Sequence, residues 1–133
     1  MDGQFVVPEE YRNPKSVEIA VKLLEYYLEN KDSDNKGIIT YGELCKKLSF
    51  EMNPRVIERN LGDISFTCKE NGLPPISALV VNKDERMPGA GFFAAYCPEK
   101  KGDDLPEVWM DIFNKIHAYQ GWYAVVEAYK KLC

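Results

Sequence analysis

The chain has 133 residues, of which 45% are hydrophobic and 12% aromatic, enough for one domain with a real core. Its formal charge of −4 argues against strong non-specific DNA binding but does not exclude a local basic patch. No apolar stretch approaches the length of a membrane span and the N-terminus has no signal-peptide pattern, so we expect a cytoplasmic protein that contacts no membrane.

Residue types that carry catalysis or bind metals are sparse. The four cysteines are widely spaced without a CxxC pair, and the one histidine, His117, has no motif around it. The pair Gly89-x-Gly91 lacks the strand-to-helix context of a phosphate-binding loop. We therefore expect reduced core thiols, no metal, no cofactor and no enzymatic activity.

Residues 1–13 are predicted to form an N-terminal arm, and the first helix is predicted to begin at Asn13-Pro14. Apolar residues at spacings of three and four make this helix amphipathic. They are Val17, Val21, Leu24 and Leu28. The polar stretch from Asn30 to Gly37 indicates a loop.

Two further helices are expected in the middle of the chain. Thr40-x-x-Glu43 is a capping-box pattern, which predicts a short helix. Asn53 can cap the next helix, with Pro54 in its first position. Gly72 is expected to end that helix.

A two-stranded hairpin is predicted to follow. Its strands are Ser77–Asn82 and Gly91–Tyr96, joined by a turn from Lys83 to Gly89. Helix, turn, helix and hairpin in this order predict an α+β fold, namely a winged helix-turn-helix with an N-terminal helix over residues 14–96. Residues 97–133 are expected to form a linker and a C-terminal helical extension packed on the same domain.

The second helix of this motif carries a basic face. Arg55, Arg59 and Lys69 share that face with Phe66, and such side chains can contact a phosphate backbone or a base edge. The alternative is that the cations are only solvated and that Phe66 receives the C-terminal helices.

The predicted hairpin turn carries two more cations. Lys83 and Arg86 would lie at the tip of the wing, where they could touch a phosphate, although charged hairpin tips are commonly only solvated. The nucleic-acid-binding residues predicted from sequence are therefore Arg55, Arg59, Lys69, Lys83 and Arg86.

The C-terminal segment is rich in aromatic residues. Two apolar stripes, separated at Gly121, predict two helices, and their aromatic residues are most simply core. A surface for a partner or a second copy is the alternative, because aromatic residues are enriched at interfaces. On that interpretation the partner-binding residues are Phe66, Trp109, Trp122 and Tyr123.

Three segments resemble the winged-helix domain of the alkylguanine DNA alkyltransferases. They are Ile39–Leu44, Pro54–Gly62 and Val80-Val81. The resemblance places Ser77 and Ala78 where that family has its reactive cysteine and histidine. It therefore implies the scaffold without the alkyl-transfer chemistry.

A longer string is similar to an uncharacterised bacterial and phage domain, which occurs alone or attached to HNH nucleases. Its segments are Cys68–Pro75, Leu79–Lys83 and Pro88–Phe92, after the TYGEL sequence at Tyr41. The HNH motif is absent here. The resemblance implies a phage or bacterial defence context.

Two functions are consistent with these patterns. The first is a non-enzymatic nucleic-acid-binding module that binds duplex nucleic acid weakly and in a salt-sensitive way. The alternative is an acidic inhibitor or adaptor of the anti-CRISPR or another anti-defence type, which binds a protein of a nucleic-acid-processing complex. The predicted fold favours the nucleic-acid-binding module, whereas the net negative charge favours the inhibitor or adaptor. A homodimer is compatible with either function.

Overall fold

The computed structural model describes residues 4–100 and 102–133. Its helices are α1 Pro14–Asn30, α2 Tyr41–Lys46, α3 Ile57–Glu70, α4 Ala90–Tyr96, α5 Leu105–Ala118 and α6 Trp122–Lys130. Strands β1 Ile39–Thr40 and β2 Val80–Val81 pair in parallel, with Ile39 opposite Val80. Turns of 3₁₀ helix occur at Glu9–Tyr11, Ile76–Leu79 and Gly102–Asp104. Over these two ranges, no helix combines the length and apolar character needed to cross a membrane.

The first two helices begin where their capping residues predict. The side-chain oxygen of Asn13 accepts from the backbone N–H groups of Lys15 and Ser16 at the start of α1. At α2, Thr40 Oγ1 accepts from the N–H of Glu43 at 3.1 Å, and Glu43 Oε1 accepts from the N–H of Thr40 at 3.1 Å. The capping-box prediction is therefore confirmed.

The start of α3 lies later than the sequence predicts. Asn53 Oδ1 accepts from the N–H of Arg55 at 2.8 Å, and residues 54–56 form a turn before the helix begins at Ile57. The connection between α2 and α3 is consequently residues 47–56. A helix-turn-helix motif joins its helices by only about three or four residues, so this pair of helices lacks that geometry.

The winged helix-turn-helix prediction is wrong. A wing is an antiparallel hairpin in a three-stranded sheet, whereas the sheet in the described residues has two parallel strands of two residues each. The first expected strand, Ser77–Asn82, is mainly a 3₁₀ turn that leads into β2, and the second, Gly91–Tyr96, lies inside α4. The protein is mostly helical, and Lys83 and Arg86 do not lie on a wing.

Burial explains why these two runs resemble strands in the sequence. Every residue from Ile76 to Val81 is buried, and a run buried on all sides shows no alternation that separates a strand from a helical turn. In α4 the rings of Phe92 and Tyr96 stack with their centroids 5.8 Å apart. That is the four-residue neighbour relation of a helix.

The two C-terminal helices complete the core. α6 packs along α1, and α5 lies over the 3₁₀ turn Ile76–Leu79. There Trp109 Nε1 donates to the carbonyl of Ala78 at 2.8 Å. Trp122 Nε1 donates to the carbonyl of Ile116 at 2.9 Å. Both indole N–H groups are thus satisfied inside the chain, as buried tryptophans require.

The segment before α1 is fastened to the end of α3. The N–H of Val6 donates to Asn71 Oδ1 at 3.0 Å, and Asn71 Nδ2 donates to the carbonyl of Val6 at 2.8 Å. Val7 is buried in the core, and the ring centroid of Phe5 lies 5.7 Å from that of Tyr129. Residues 5–7 are therefore part of the folded body.

Candidate nucleic-acid interface

A groove of about 510 Å³ lies where the start of α1 meets the start of α3. Its lining combines three cations with polar and apolar side chains. They are Lys15, Glu51, Met52, Asn53, Arg55, Val56, Arg59 and Asn60. We call this the basic groove.

The packing of α1 on α3 fixes the walls of the basic groove. Ser16 Oγ donates to Asp63 Oδ2 at 2.7 Å and accepts from Asn60 Nδ2 at 2.9 Å. This buried serine locks the first turn of α1 against α3. Its chain neighbour Lys15 is thereby held in the same groove as Arg59.

The turn before α3 presents Arg55 to solvent. Asn53 fixes the turn twice, through its side-chain bond to the N–H of Arg55 and through its carbonyl, which accepts from the N–H of Val56 at 3.0 Å. Arg55 is exposed, and so is Val56, at 57% of its surface. The turn therefore places a cation and an apolar side chain next to each other.

The three cations of the basic groove form no ion pairs within the described part of the chain. Residues 4–100 and 102–133 contain no ion pair to Lys15, Arg55 or Arg59. Glu58 lies between the two arginines in sequence, but its carboxylate is directed at Tyr41, whose hydroxyl lies 3.1 Å from Glu58 Oε2. With Glu51 as the one carboxylate in the lining, the groove has a net charge of +2 in a chain of −4.

The other predicted nucleic-acid-binding residues lie outside this groove. Lys69 is at the far end of α3, with its Nζ 5.9 Å from the ring centroid of Tyr96. Lys83 and Arg86 are exposed in the connection between β2 and α4. Arg55 and Arg59 are therefore the two members of the predicted set that the structure brings together in the basic groove.

The predicted partner-binding residues differ sharply in exposure. Trp109 and Trp122 are buried, at 9% and 1% exposure, whereas Tyr123 is 68% exposed. Phe66 is half-buried and stacks against Tyr11, with ring centroids 5.7 Å apart. The N-terminal arm, and not the C-terminal helices, supplies the ring that stacks on Phe66.

A partly buried polar cluster joins two segments of the long sequence motif to Glu58 of α3. The hydroxyl of Tyr41 accepts from the N–H of Gly89 at 2.8 Å and donates to Glu58. Burial raises the pKa of the Tyr41 phenol, which keeps it a proton donor. A Cβ at Gly91 would overlap the carboxylate of Glu58. These motif residues thus fasten α2 and α3 to the loop before α4.

Reactive side chains in the core are paired or shielded. Ser77 is buried and hydrogen-bonded to Ser65. Cys68 has no exposed surface, and its burial raises the pKa of the thiol to about 12. His117 Nδ1 and Nε2 lie 3.0 and 2.8 Å from the carbonyl oxygens of Phe113 and Lys36. In the described part of the chain, no three His, Cys, Asp or Glu residues are grouped to hold a metal.

Lys15, which lines the basic groove, and Phe50, which lies beside it, are missing from the sequence prediction. Lys15 lies forty residues before Arg55, so only the packing of α1 on α3 brings them together. Phe50 lies in the connection before α3, and Lys15 Nζ is 5.3 Å from its ring centroid. The sequence does carry a signal for Lys15. It directly follows the capping pair Asn13-Pro14, and this position predicts a lysine on the first, exposed turn of a helix.

No family model, curated protein or solved structure matches this chain. The resemblances to the alkyltransferase winged helix and to the HNH-associated domain therefore stay expectations of the sequence.

Proposed function

We propose that this protein is a non-enzymatic nucleic-acid-binding module that contacts the phosphate backbone through the basic groove. The observation that carries the proposal is the gathering of Lys15, Arg55 and Arg59 in one groove, where the described residues form no ion pair to them and Glu51 is the one carboxylate in the lining. Lysine and arginine gain affinity for phosphates by releasing condensed counterions. The phage or bacterial defence context remains an expectation from the sequence resemblance alone.

Net acidity makes the binding local and weak. The described cations outside the groove are scattered among a larger number of carboxylates, so a polyanion is attracted at this groove and repelled elsewhere. We expect dissociation constants in the micromolar range or above at low salt, with a steep loss of affinity as salt rises.

The test compares two variants that remove the same charge. Fluorescence anisotropy with a labelled oligonucleotide is measured across a salt series for Arg55→Gln/Arg59→Gln and for Lys83→Gln/Arg86→Gln. We expect the first pair to weaken binding and to reduce the slope of log affinity against log salt by about 1.4–1.8, the value for two phosphate contacts. The second pair should bind like the wild type.

Two outcomes contradict the proposal. One is the absence of binding by the wild type at low ionic strength. The other is an equal loss in both variants, which would mean that net charge and not the groove attracts the nucleic acid.

A second candidate is an acidic adaptor for a basic protein, and the exposed side of α5 favours it. Asp104, Glu107 and Asp111 line a groove there together with Met110, which is 47% exposed. This arrangement suits a basic peptide with an apolar anchor. Binding of an arginine-rich peptide that Asp104→Asn/Glu107→Gln abolishes and Arg55→Gln/Arg59→Gln leaves unchanged would favour this function.

A further inference from the structure

A second groove, of about 580 Å³, continues from the basic groove along α2. Its lining is largely apolar. It consists of Gly42, Cys45, Lys46, Phe50, Glu51, Met52, Asn53 and Pro54. We call this the apolar groove.

The two grooves form one continuous surface. Glu51, Met52 and Asn53 line both of them. Lys15, which lines the basic groove, has its Nζ 5.3 Å from the ring centroid of Phe50, which lines the apolar groove. A ligand that occupies one groove is therefore in reach of the other.

Charge decides what kind of ligand fits this surface. Across both grooves there are four cations, of which Lys46 is the additional one, against the single carboxylate of Glu51. The surface thus carries +3, and because the whole chain carries −4, everything else sums to −7. A polyanion is attracted here and repelled elsewhere.

The apolar side chains decide between duplex and single strand. In a duplex the bases are stacked inside, so Phe50, Met52 and Val56 would meet only sugars and phosphates. In a single strand an unstacked base can lie on an aromatic ring while adjacent phosphates contact cations. The ammonium of Lys15 now occupies the neighbourhood of the Phe50 ring and is close enough to move onto a phosphate.

The surroundings of α3 also disfavour insertion into a duplex. α1 covers one side of this helix through the Ser16–Asp63 bond, the loop before α4 covers another at Glu58, and Tyr11 stacks on Phe66. Within α3 the exposed residues are Arg59 in its first turn and Lys69 and Glu70 in its last, so its middle turns are covered. A recognition helix instead lies along the major groove with several turns exposed.

We infer that the continuous surface of the basic and apolar grooves binds single-stranded nucleic acid, with Lys15, Arg55 and Arg59 on the phosphates and Phe50 under a base. This inference rests on the proposed function and deepens it. It assigns no sequence preference, because every base has an aromatic face.

The test measures anisotropy of the full chain with a labelled oligothymidine and with a blunt duplex of equal length, at one low salt concentration. We expect the single strand to bind at least about fivefold more tightly, as expected for the stacking of one base. Phe50→Leu keeps an apolar side chain without the aromatic face, so it should lower single-strand affinity about fivefold and leave duplex affinity unchanged. Phe50→Tyr should retain the wild-type preference.

The outcomes separate the inference from the proposed function. Equal affinity for both oligonucleotides, or a single-strand affinity that Phe50→Leu leaves unchanged while Arg55→Gln/Arg59→Gln lowers it, overturns the inference and keeps the function. Binding of neither oligonucleotide overturns both. Thermal melting of each variant shows whether it is folded, and if Phe50→Leu is not, the comparison of single strand with duplex on the wild type provides the test.

Discussion

The start of α3 and the C-terminal helices are both rich in side chains that proteins use for recognition, yet these side chains are exposed in the first region and buried in the second. Arg55 and Arg59 remain exposed and unpaired within the described ranges, whereas Trp109 and Trp122 are enclosed with their N–H groups bonded to carbonyls. Residue type therefore does not distinguish the candidate interface from the core here. What distinguishes them is whether the polar end of each side chain is satisfied inside the chain.

The largest expected effect concerns the C-terminal helices, where two adjacent residues differ in burial. Trp122 is 1% exposed and Tyr123 is 68% exposed. Trp122→Ala should lower the free energy of unfolding by about 3–5 kcal/mol, because it leaves a cavity and removes the indole hydrogen bond to the carbonyl of Ile116. Tyr123→Ala should change it by less than about 0.5 kcal/mol. Urea titration followed by circular dichroism measures both, and similar values for the two variants would contradict the contrast.

The next effect tests the joint between α3 and α4. A Cβ at Gly91 would overlap the carboxylate of Glu58, so Gly91→Ala forces the Glu58 side chain away and removes its hydrogen bond to Tyr41, which should destabilise by about 1 kcal/mol. In a Glu58→Ala background the same substitution should cost little, since that hydrogen bond is already absent. Thermal melting of the three variants and the wild type completes the cycle, and purely additive effects would show that the contact is not the cause.

A matched glycine on α3 gives the opposite sign. A Cβ at Gly62 would meet no atom within 4 Å, so Gly62→Ala should stabilise the helix by about 0.5–1 kcal/mol. The same melting experiment measures it. A destabilised Gly62→Ala would mean that α3 is packed more tightly on that side than the structure indicates.

A smaller effect concerns the arm that crosses the end of α3. Asn71→Ala removes both hydrogen bonds to the backbone of Val6, which are exposed, so we expect a loss of about 0.5 kcal/mol. Hydrogen exchange should rise at Val6 and Val7 and remain unchanged in α5. Uniform acceleration across the chain would instead show that the arm unfolds only with the whole protein.

The smallest effect concerns the anchor beside Phe50. Glu18 Oε2 accepts from the N–H of Ser49 at 2.6 Å and Oε1 from its hydroxyl at 2.7 Å, and these bonds lower the carboxyl pKa below its usual 4.5. The lowered pKa in the folded state contributes stability above pH 4.5, which is lost as pH falls through the folded pKa. The stability difference between wild type and Glu18→Gln should therefore shrink as the pH is lowered from 7 through the acid range. A constant difference from neutral to acid pH would contradict this.

Local signals predict the starts of α1 and α2. The cap at Asn13 and the box at Thr40 and Glu43 depend on side chains that bond to their own neighbours, so a short window contains the whole cause. The stretch from Ile76 to Val81 is different, because its conformation is decided by β1 and α5, which lie far away in sequence.

The candidate site, like the fold, could be predicted only in part from the sequence. Arg55 and Arg59 are four residues apart, in the turn before α3 and in its first turn, so they are found from spacing alone. Lys15 and Phe50 join them only through the packing of α1 on α3 and through the anchor at Ser49. Lys69 fails to join because the length of α3 separates it from the groove, although a helical wheel projects it onto the same face.

The pairing of Ile39 with Val80 has a consequence for how the chain folds. These partners are 41 positions apart, and a two-residue ladder supplies few hydrogen bonds to offset the entropy of closing so long a loop. The ladder therefore forms only once α2 and α3 have already brought its ends together, late in folding. A nascent chain that ends before Val80 leaves Ile39 without its strand partner, so we expect such fragments to lack a stable core.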